Sequence, residues 1–267
     1  MGEGAAVVES LVASRLQGAG ADALELQGVA RHFGALVALS GIDMRIAAGE
    51  RRAILGSNGA GKTTLFNTIT GDFPPTAGRI RFFGEDITGM PSHERIRRGL
   101  RRTYQISQLF RGLSVLDSIF LACRGVSRQR FSVRRPGAAD VNMMQAESIL
   151  HAVHLETDRE TLVATLSHGR QRQLEIALAL AGAPRFILFD EPAAGLSPGE
   201  RRDLVAILNA LPRHVGYIII EHDLDVALRV SEYVSMMHNG RLFKEGTPQE
   251  IEGDREVQQI YLGGKHG

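Results

Sequence analysis

The run Ile54–Gly71, ILGSNGAGKTTLFNTITG, decides how the chain folds. It reads as the end of an apolar strand, a glycine-rich loop, and a helix closed by Gly71. Within it, Gly56–Thr63 (GSNGAGKT) meets the phosphate-loop pattern GxxxxGK[ST] at every fixed position, with strand before and helix after. Across Gly56, Ser57, Asn58, Gly59, Ala60 and Gly61 the glycines let the backbone curl, so that successive N–H groups face phosphate oxygens. The N-terminus of the following helix adds its partial positive charge. Lys62 then reaches the β- and γ-phosphates, the Thr63 hydroxyl faces Mg²⁺, and Thr64 completes the loop's contact set. An incidental glycine turn is the bland alternative, and the full pattern in its proper context speaks against it. Lysine is otherwise scarce, with only Lys62, Lys244 and Lys265 among 31 basic residues.

Working outward, RFILFDEP (185–192) and GYIIIEHD (216–223) are continuous apolar runs, the pattern of parallel strands buried on both faces. Asp190 stands at the carboxyl end of the first, where α/β sheets place ligands, and can hold Mg²⁺. Glu191 has no structural reason to follow so apolar a strand; its natural role is to orient and polarise an attacking water. His222 ends the second run on the same edge, within reach of a γ-phosphate or that water, although single histidines are most often structural. The segments LELQGVARHF, LVALSGIDMRI and RIRFFG (79–84) read as strands, and EYVSMMHNGRLFKEG as a hairpin turning at Asn239–Gly240. LSHGRQRQLEIALAL (166–180) reads as a serine-capped amphipathic helix with Leu174, Ala177, Leu178 and Ala181 on its buried face.

More than a hundred residues separate the glycine loop from the 186–190 strand, too many for one crossover. An inserted helical subdomain at about 92–182 accounts for them. Its arginines Arg97, Arg98, Arg101 and Arg102 read as a charged helix face.

The totals narrow the class. The 267 residues carry a net charge of +1, which argues against nucleic acid as a bulk electrostatic partner. One cysteine, Cys123, excludes a disulfide framework and fits a reducing compartment. The longest apolar runs, such as Ile176–Ala183, fall short of the roughly 20 residues that a spanning helix needs. Residues 1–22 are rich in Gly and Ala, contain Glu3 and Glu9, and read as a flexible extension rather than a secretory signal.

The phosphate loop, LSHGRQ, FILFDEP, AAGLSP and EHD, in this order and spacing, resemble the nucleotide-binding subunit of an ABC transporter across roughly 24–264. LSHGRQ corresponds to the family signature, usually written LSGGQ. The wording DEPAAGLSP, EHDLDVAL and GRLFKEGTPQEI is similar to the ATPases of branched-chain amino acid and related amide importers. The resemblance implies an α/β fold: a P-loop NTPase core with an antiparallel β-subdomain and the inserted helical subdomain, together spanning 23–267. It implies ATP and Mg²⁺ as ligands, and hydrolysis served by Glu191, His222 and Gln105. Gln105, in RTYQISQLF, matches the loop glutamine that contacts Mg²⁺ and the attacking water; otherwise it is a solvated turn residue. Phe33 matches the aromatic that stacks on adenine, against the alternative of a core phenylalanine. Residues 193–197, AAGLS, match the loop that crosses to an opposite ATPase. Ser167 and Gly169 would offer a hydroxyl and a peptide N–H to a γ-phosphate bound by that second chain. One departure stands out: His168 replaces the first signature glycine and Arg170 the glutamine.

The implied partners are transmembrane permease subunits, a second identical or different ATPase subunit, and indirectly a solute-binding protein, with no nucleic acid. The implied location is peripheral, at the cytoplasmic face of a bacterial inner membrane. Rival readings are an ATPase for urea transport or lipopolysaccharide export, a soluble ABC protein acting on ribosomes or DNA, and a P-loop kinase. The second usually carries paired cassettes, a long coiled coil or zinc cysteines, none of which this sequence contains. A kinase would need an acceptor domain and would leave the signature without a purpose.

Overall fold

A computed structural model of the protein describes residues 22–103, 109–127 and 140–262, with side chains described as far as 259. In chain order the elements are β1 (Asp22–Phe33), β2 (Leu36–Ala47), β3 (Arg51–Gly56), α1 (Lys62–Thr70), β4 (Ala77–Phe82), β5 (Glu85–Asp86), α2 (Ser92–Arg97) and β6 (Leu100–Arg102). Four helices follow, interrupted by one strand: α3 (Val115–Val126), α4 (Val141–Ala152), α5 (His168–Leu180), β7 (Phe186–Asp190) and α6 (Pro198–Ala210). The chain closes with β8 (Gly216–Ile220), α7 (Leu224–Val230), β9 (Tyr233–His238), β10 (Arg241–Gly246), α8 (Pro248–Gly253) and α9 (Arg255–Leu262). These elements divide into two units.

The first unit, which among the described residues is 22–102, 185–193 and 212–262, holds both sheets. One is antiparallel, in the order β2-β1-β4-β5. Along β2, Ile42, Met44 and Ile46 are buried while Asp43 and Arg45 are exposed, the alternation of a sheet with one wet face. Asp22 already pairs with Ala47. The other sheet runs β10-β9-β3-β8-β7-β6, parallel except for β10. Every residue of β7 and β8 is buried, as their apolar runs predict, and so is every residue of β3, its two arginines included. The β9–β10 hairpin turns at Asn239 and Gly240, both at positive φ (47° and 73°), which is the turn that the dipeptide signals. Side chains of both sheets and α1 share one core that includes Leu26, Ile42, Leu65, Phe66, Ile80 and Leu188.

The C-terminal end of α1 is fixed by a buried arginine. Arg95 is 1% exposed and donates to the carbonyls of Thr68 and Ile69, which the helix leaves unpaired, and to those of Thr88 and Met90. Burial lowers its pKa to about 10.

One expectation is corrected here. Arg101 and Arg102 do not lie on a helix face: α2 stops at Arg97, Gly99 turns the chain at φ 94°, and both arginines belong to β6. A glycine just past a helix end is a stop signal, and here it sends the chain into the sheet edge beside β7. Residues 92–102 therefore fold with the sheets.

The second unit comprises Thr103–Pro184 and Ala194–Leu211 among the described residues and is helical. α3 packs against α4 and α5. The apolar face expected on α5 is present, with Leu174, Ala177 and Ala181 buried, but the buried surface is wider. Leu174, Ile176, Ala177, Ala179 and Leu180 are buried, but so are Arg172, Gln173 and Glu175, while Leu178 is only half-buried. With neighbours on several sides the helix buries polar residues too, and Arg172 Nη1 donates to Glu175 Oε2 at 2.6 Å.

Candidate active site

The loop between β3 and α1 keeps its glycines for space as much as for conformation. A Cβ on Gly56 would collide with the Met237 carbonyl, and one on Gly61, at φ 100°, would lie 2.7 Å from the Ala38 oxygen. Ser57, Asn58 and Gly59 are exposed, so the outer curve of the loop is open to a ligand; Thr63 is exposed and Thr64 half-buried in the first helical turn. Lys62 is buried, and its Nζ donates to the carbonyls of Gly56 (2.7 Å) and Ser57 (3.1 Å). The ammonium is thus drawn into the loop that it is expected to serve. Burial lowers its pKa, and the carboxylates of Glu191 and Asp190 pull the other way, which places both within electrostatic reach.

The strand ends bring the expected acid and histidine together. Glu191 follows β7 with φ 50°, a left-handed conformation uncommon for a side chain of this kind. His222 lies just beyond β8, and its Nε2 stands 2.8 Å from Glu191 Oε1. With the carboxylate as acceptor, Nε2 carries the proton. Asp190 is buried at the end of β7, and Arg102 Nη2 donates to its Oδ2 at 2.6 Å. The same guanidinium meets Asp72 at 3.1 Å and bonds Asn67, tying the end of β7 to the end of α1.

Phe33 is not a core residue: it is 43% exposed, set edge-on to Phe73 at 5.4 Å, with the Arg31 guanidinium 4.6 Å from both rings. Gln105 lies outside the described residues.

In the helical unit, Ser167 caps α5 by accepting the Arg170 N–H at 3.3 Å. Gly169 is buried, and a Cβ there would collide with the Glu200 carboxylate. Glu200 closes a capping box on α6 with Ser197; hydrogen bonds from Ser197, then the Gly169 N–H and the charge of His168, lower its pKa. The departure at His168 has a local counterpart. A Cβ on Gly195 would lie 3.1 Å from the imidazole Cε1, so the ring occupies space that a glycine leaves free. Arg170 binds the His154 carbonyl at 2.8 Å and Asp158 at 3.3 Å.

The family model described as ABC transporter matches residues 39–194. The chain belongs to this family. It is 35% identical to the high-affinity branched-chain amino acid transport ATP-binding protein BraF of Pseudomonas aeruginosa, covering 90% of this chain and 97% of BraF. It is 34% identical to the lipopolysaccharide export system ATP-binding protein LptB of Acidithiobacillus ferridurans, covering 90% of this chain and 96% of LptB. Among solved structures, the ADP conformation of MJ1267, an ATP-binding cassette of an ABC transporter, superposes with a TM-score of 0.78 at 30% identity, covering 91% of this chain and 99% of that one. The expected ABC ATPase fold is therefore the fold of this cassette.

The cassette's donor set suits its expected ligands. Exposed loop backbone and Lys62 match a polyphosphate, while the Thr63 hydroxyl and Asp190 carboxylate are the hard oxygen donors that Mg²⁺ prefers. The sequence reading missed the contact of Arg102 with Asp190 and that of the Glu221 carboxylate with the Ala193 N–H, and, in the helical unit, the place of Glu200 beside Gly169. The stop signal at Gly99 could have placed Arg102 on the strand beside Asp190. Nothing in the sequence pairs Glu200 with Gly169.

Proposed function

We propose that the cassette is the ATP-hydrolysing subunit of an importer for branched-chain amino acids or related polar solutes. The observation that carries this reading is the 2.8 Å approach of His222 Nε2 to Glu191 Oε1 at the ends of two fully buried neighbouring strands. There Glu191 accepts a proton from the water that attacks the γ-phosphate, and His222, through its Nε2–H, holds that carboxylate in place. Lys62 and the loop N–H groups bind the β- and γ-phosphates, and Phe33 stacks on the adenine. Thr63, Asp190 and Gln105 would hold Mg²⁺, which neutralises charge on the β- and γ-phosphate oxygens when bound.

The signature, Ser167 and Gly169, has no task at its own nucleotide, and it serves the ATP of a second cassette. ATP binding draws two cassettes together, hydrolysis parts them, and the permease subunits follow. Among the described residues no helix is long and apolar enough to cross a membrane, so permease chains hold the cassette at the cytoplasmic face of the bacterial inner membrane. A solute-binding protein delivers the cargo from the other side. Lipopolysaccharide export is the second reading, favoured by the likeness to LptB, while the AAGLSP wording favours the importer.

Phosphate release from Mg-ATP with no acceptor present tests the reaction. The account expects release that Lys62→Ala and Glu191→Gln abolish; strict dependence on an added acceptor would establish a kinase instead. Uptake of labelled leucine in cells that rely on this cassette tests the cargo class, and uptake unchanged by Glu191→Gln would exclude it.

A further inference from the structure

We propose that Glu221 is a positioning residue of the hydrolytic site, its buried carboxylate fastening the turn that carries Glu191 to the strand end that carries His222. The inference rests on the reading of Glu191 and His222 given above. Glu221 is 2% exposed and directly follows β8, whose five residues are all buried. Burial raises its pKa to about 7. A carboxylate in such a place is costly unless it satisfies a partner.

Its partner is specific. The Ala193 N–H donates to Glu221 Oε1 at 2.8 Å, and Ala193 is 3% exposed, so water does not replace this acceptor. On the near side of the turn, the Glu191 N–H donates to the Ile220 carbonyl at 2.9 Å. Pro192 between them has no N–H to give. The turn is therefore pinned to the end of β8 on both sides of Glu191, once through the backbone and once through Glu221. That double attachment accounts for the left-handed φ of 50° at Glu191, a conformation that persists only where its surroundings hold it. It also sets the 2.8 Å spacing between Glu191 and His222, since each lies one or two residues from a pinned position. Without the acceptor, the Ala193 N–H is buried and unsatisfied, and the turn relaxes toward water, carrying Glu191 with it.

Three variants test this. Glu221→Gln keeps an acceptor without the charge, Glu221→Leu keeps the volume without an acceptor, and Glu221→Asp keeps the charge but shortens the reach. Steady-state kcat and KM are measured beside equilibrium binding of a fluorescent ATP analogue without divalent metal. The expected result is a kcat at least about tenfold lower for Leu and Asp, nucleotide affinity unchanged, and rescue by Gln to within about twofold of the parent. Leu and Asp variants that hydrolyse at the parental rate, or a Gln variant as impaired as Leu, would overturn the proposal. Should Leu fail to fold, the Asp–Gln contrast decides alone. Glu191→Gln is the control: if it hydrolyses ATP normally, the reading of Glu191 is wrong, which is separable from any result at Glu221.

Discussion

Glu191 and His222 lie 2.8 Å apart, and on the proposed reading removing the carboxylate removes the base that the water needs. Glu191→Gln is expected to lower kcat by about 10²–10⁴, with ATP binding retained, as rapid-quench hydrolysis and nucleotide titration can separate. Phe33 presents an exposed ring, and Phe33→Ala should weaken ATP binding by about 1–3 kcal/mol without lowering the unfolding temperature. Isothermal titration that finds less than about a twofold change would remove Phe33 from the site. Glu221 adds a pH signature. Burial, with Glu191 and Asp223 nearby, raises its carboxyl from 4.5 to about 7, so the fold prefers the protonated form. That preference is fully present below pH 4.5 and is lost as pH rises toward 7, on the order of 3 kcal/mol over the interval. Urea midpoints from pH 5 to 8 should therefore fall in the parent relative to Glu221→Gln, with the gap widening toward neutral pH. At this scale the sequence singled out Lys62, Asp190, Glu191 and His222, because each follows a loop or stands at the end of an apolar strand whose pattern is strong. It did not reveal Glu221 or Arg102, whose roles arise from what lies across a strand boundary.

At the scale of elements, α1 presents its N-terminus to the phosphate site and is anchored at the other end by Arg95. Replacing Arg95 with Met leaves the carbonyls of Thr68 and Ile69 buried without donors, at about 2–4 kcal/mol of stability measurable by denaturant unfolding. Gly71 is bound into the same arrangement, since a Cβ there would lie 2.7 Å from Arg95 Nε. In the helical unit, Gly169→Ala should displace Glu200 and open the capping box on α6. A lower melting temperature that Glu200→Ala abolishes as a difference would confirm the coupling. Strands β3, β7 and β8 and helix α1 were legible because their apolar runs and punctuation agree. β6 was not, because two arginines on a three-residue strand look like a helix face until the glycine before them is read as a stop. The wide burial of α5 was hidden for a different reason: a period-3.6 stripe reports one packed face, and this helix has several.

At the scale of the whole molecule, the sheet unit holds Lys62, Asp190, Glu191 and His222, the helical unit holds Ser167 and Gly169, and the proposed function gives the first group the chain's own nucleotide and the second that of another chain. The order of motifs made this division readable, whereas the identity of the cargo has no counterpart in a chain that never touches it. That division of tasks has one consequence that a P-loop kinase would not share. A Glu191→Gln chain that binds ATP without hydrolysing it should be trapped as a pair. Light scattering of that variant with saturating Mg-ATP, alone and mixed with any ATPase subunit that co-purifies with it, measures this directly. The account predicts a doubling of mass on adding ATP, lost when Gly169 is replaced by a bulky residue. A mass that stays at one chain under all these conditions would contradict it.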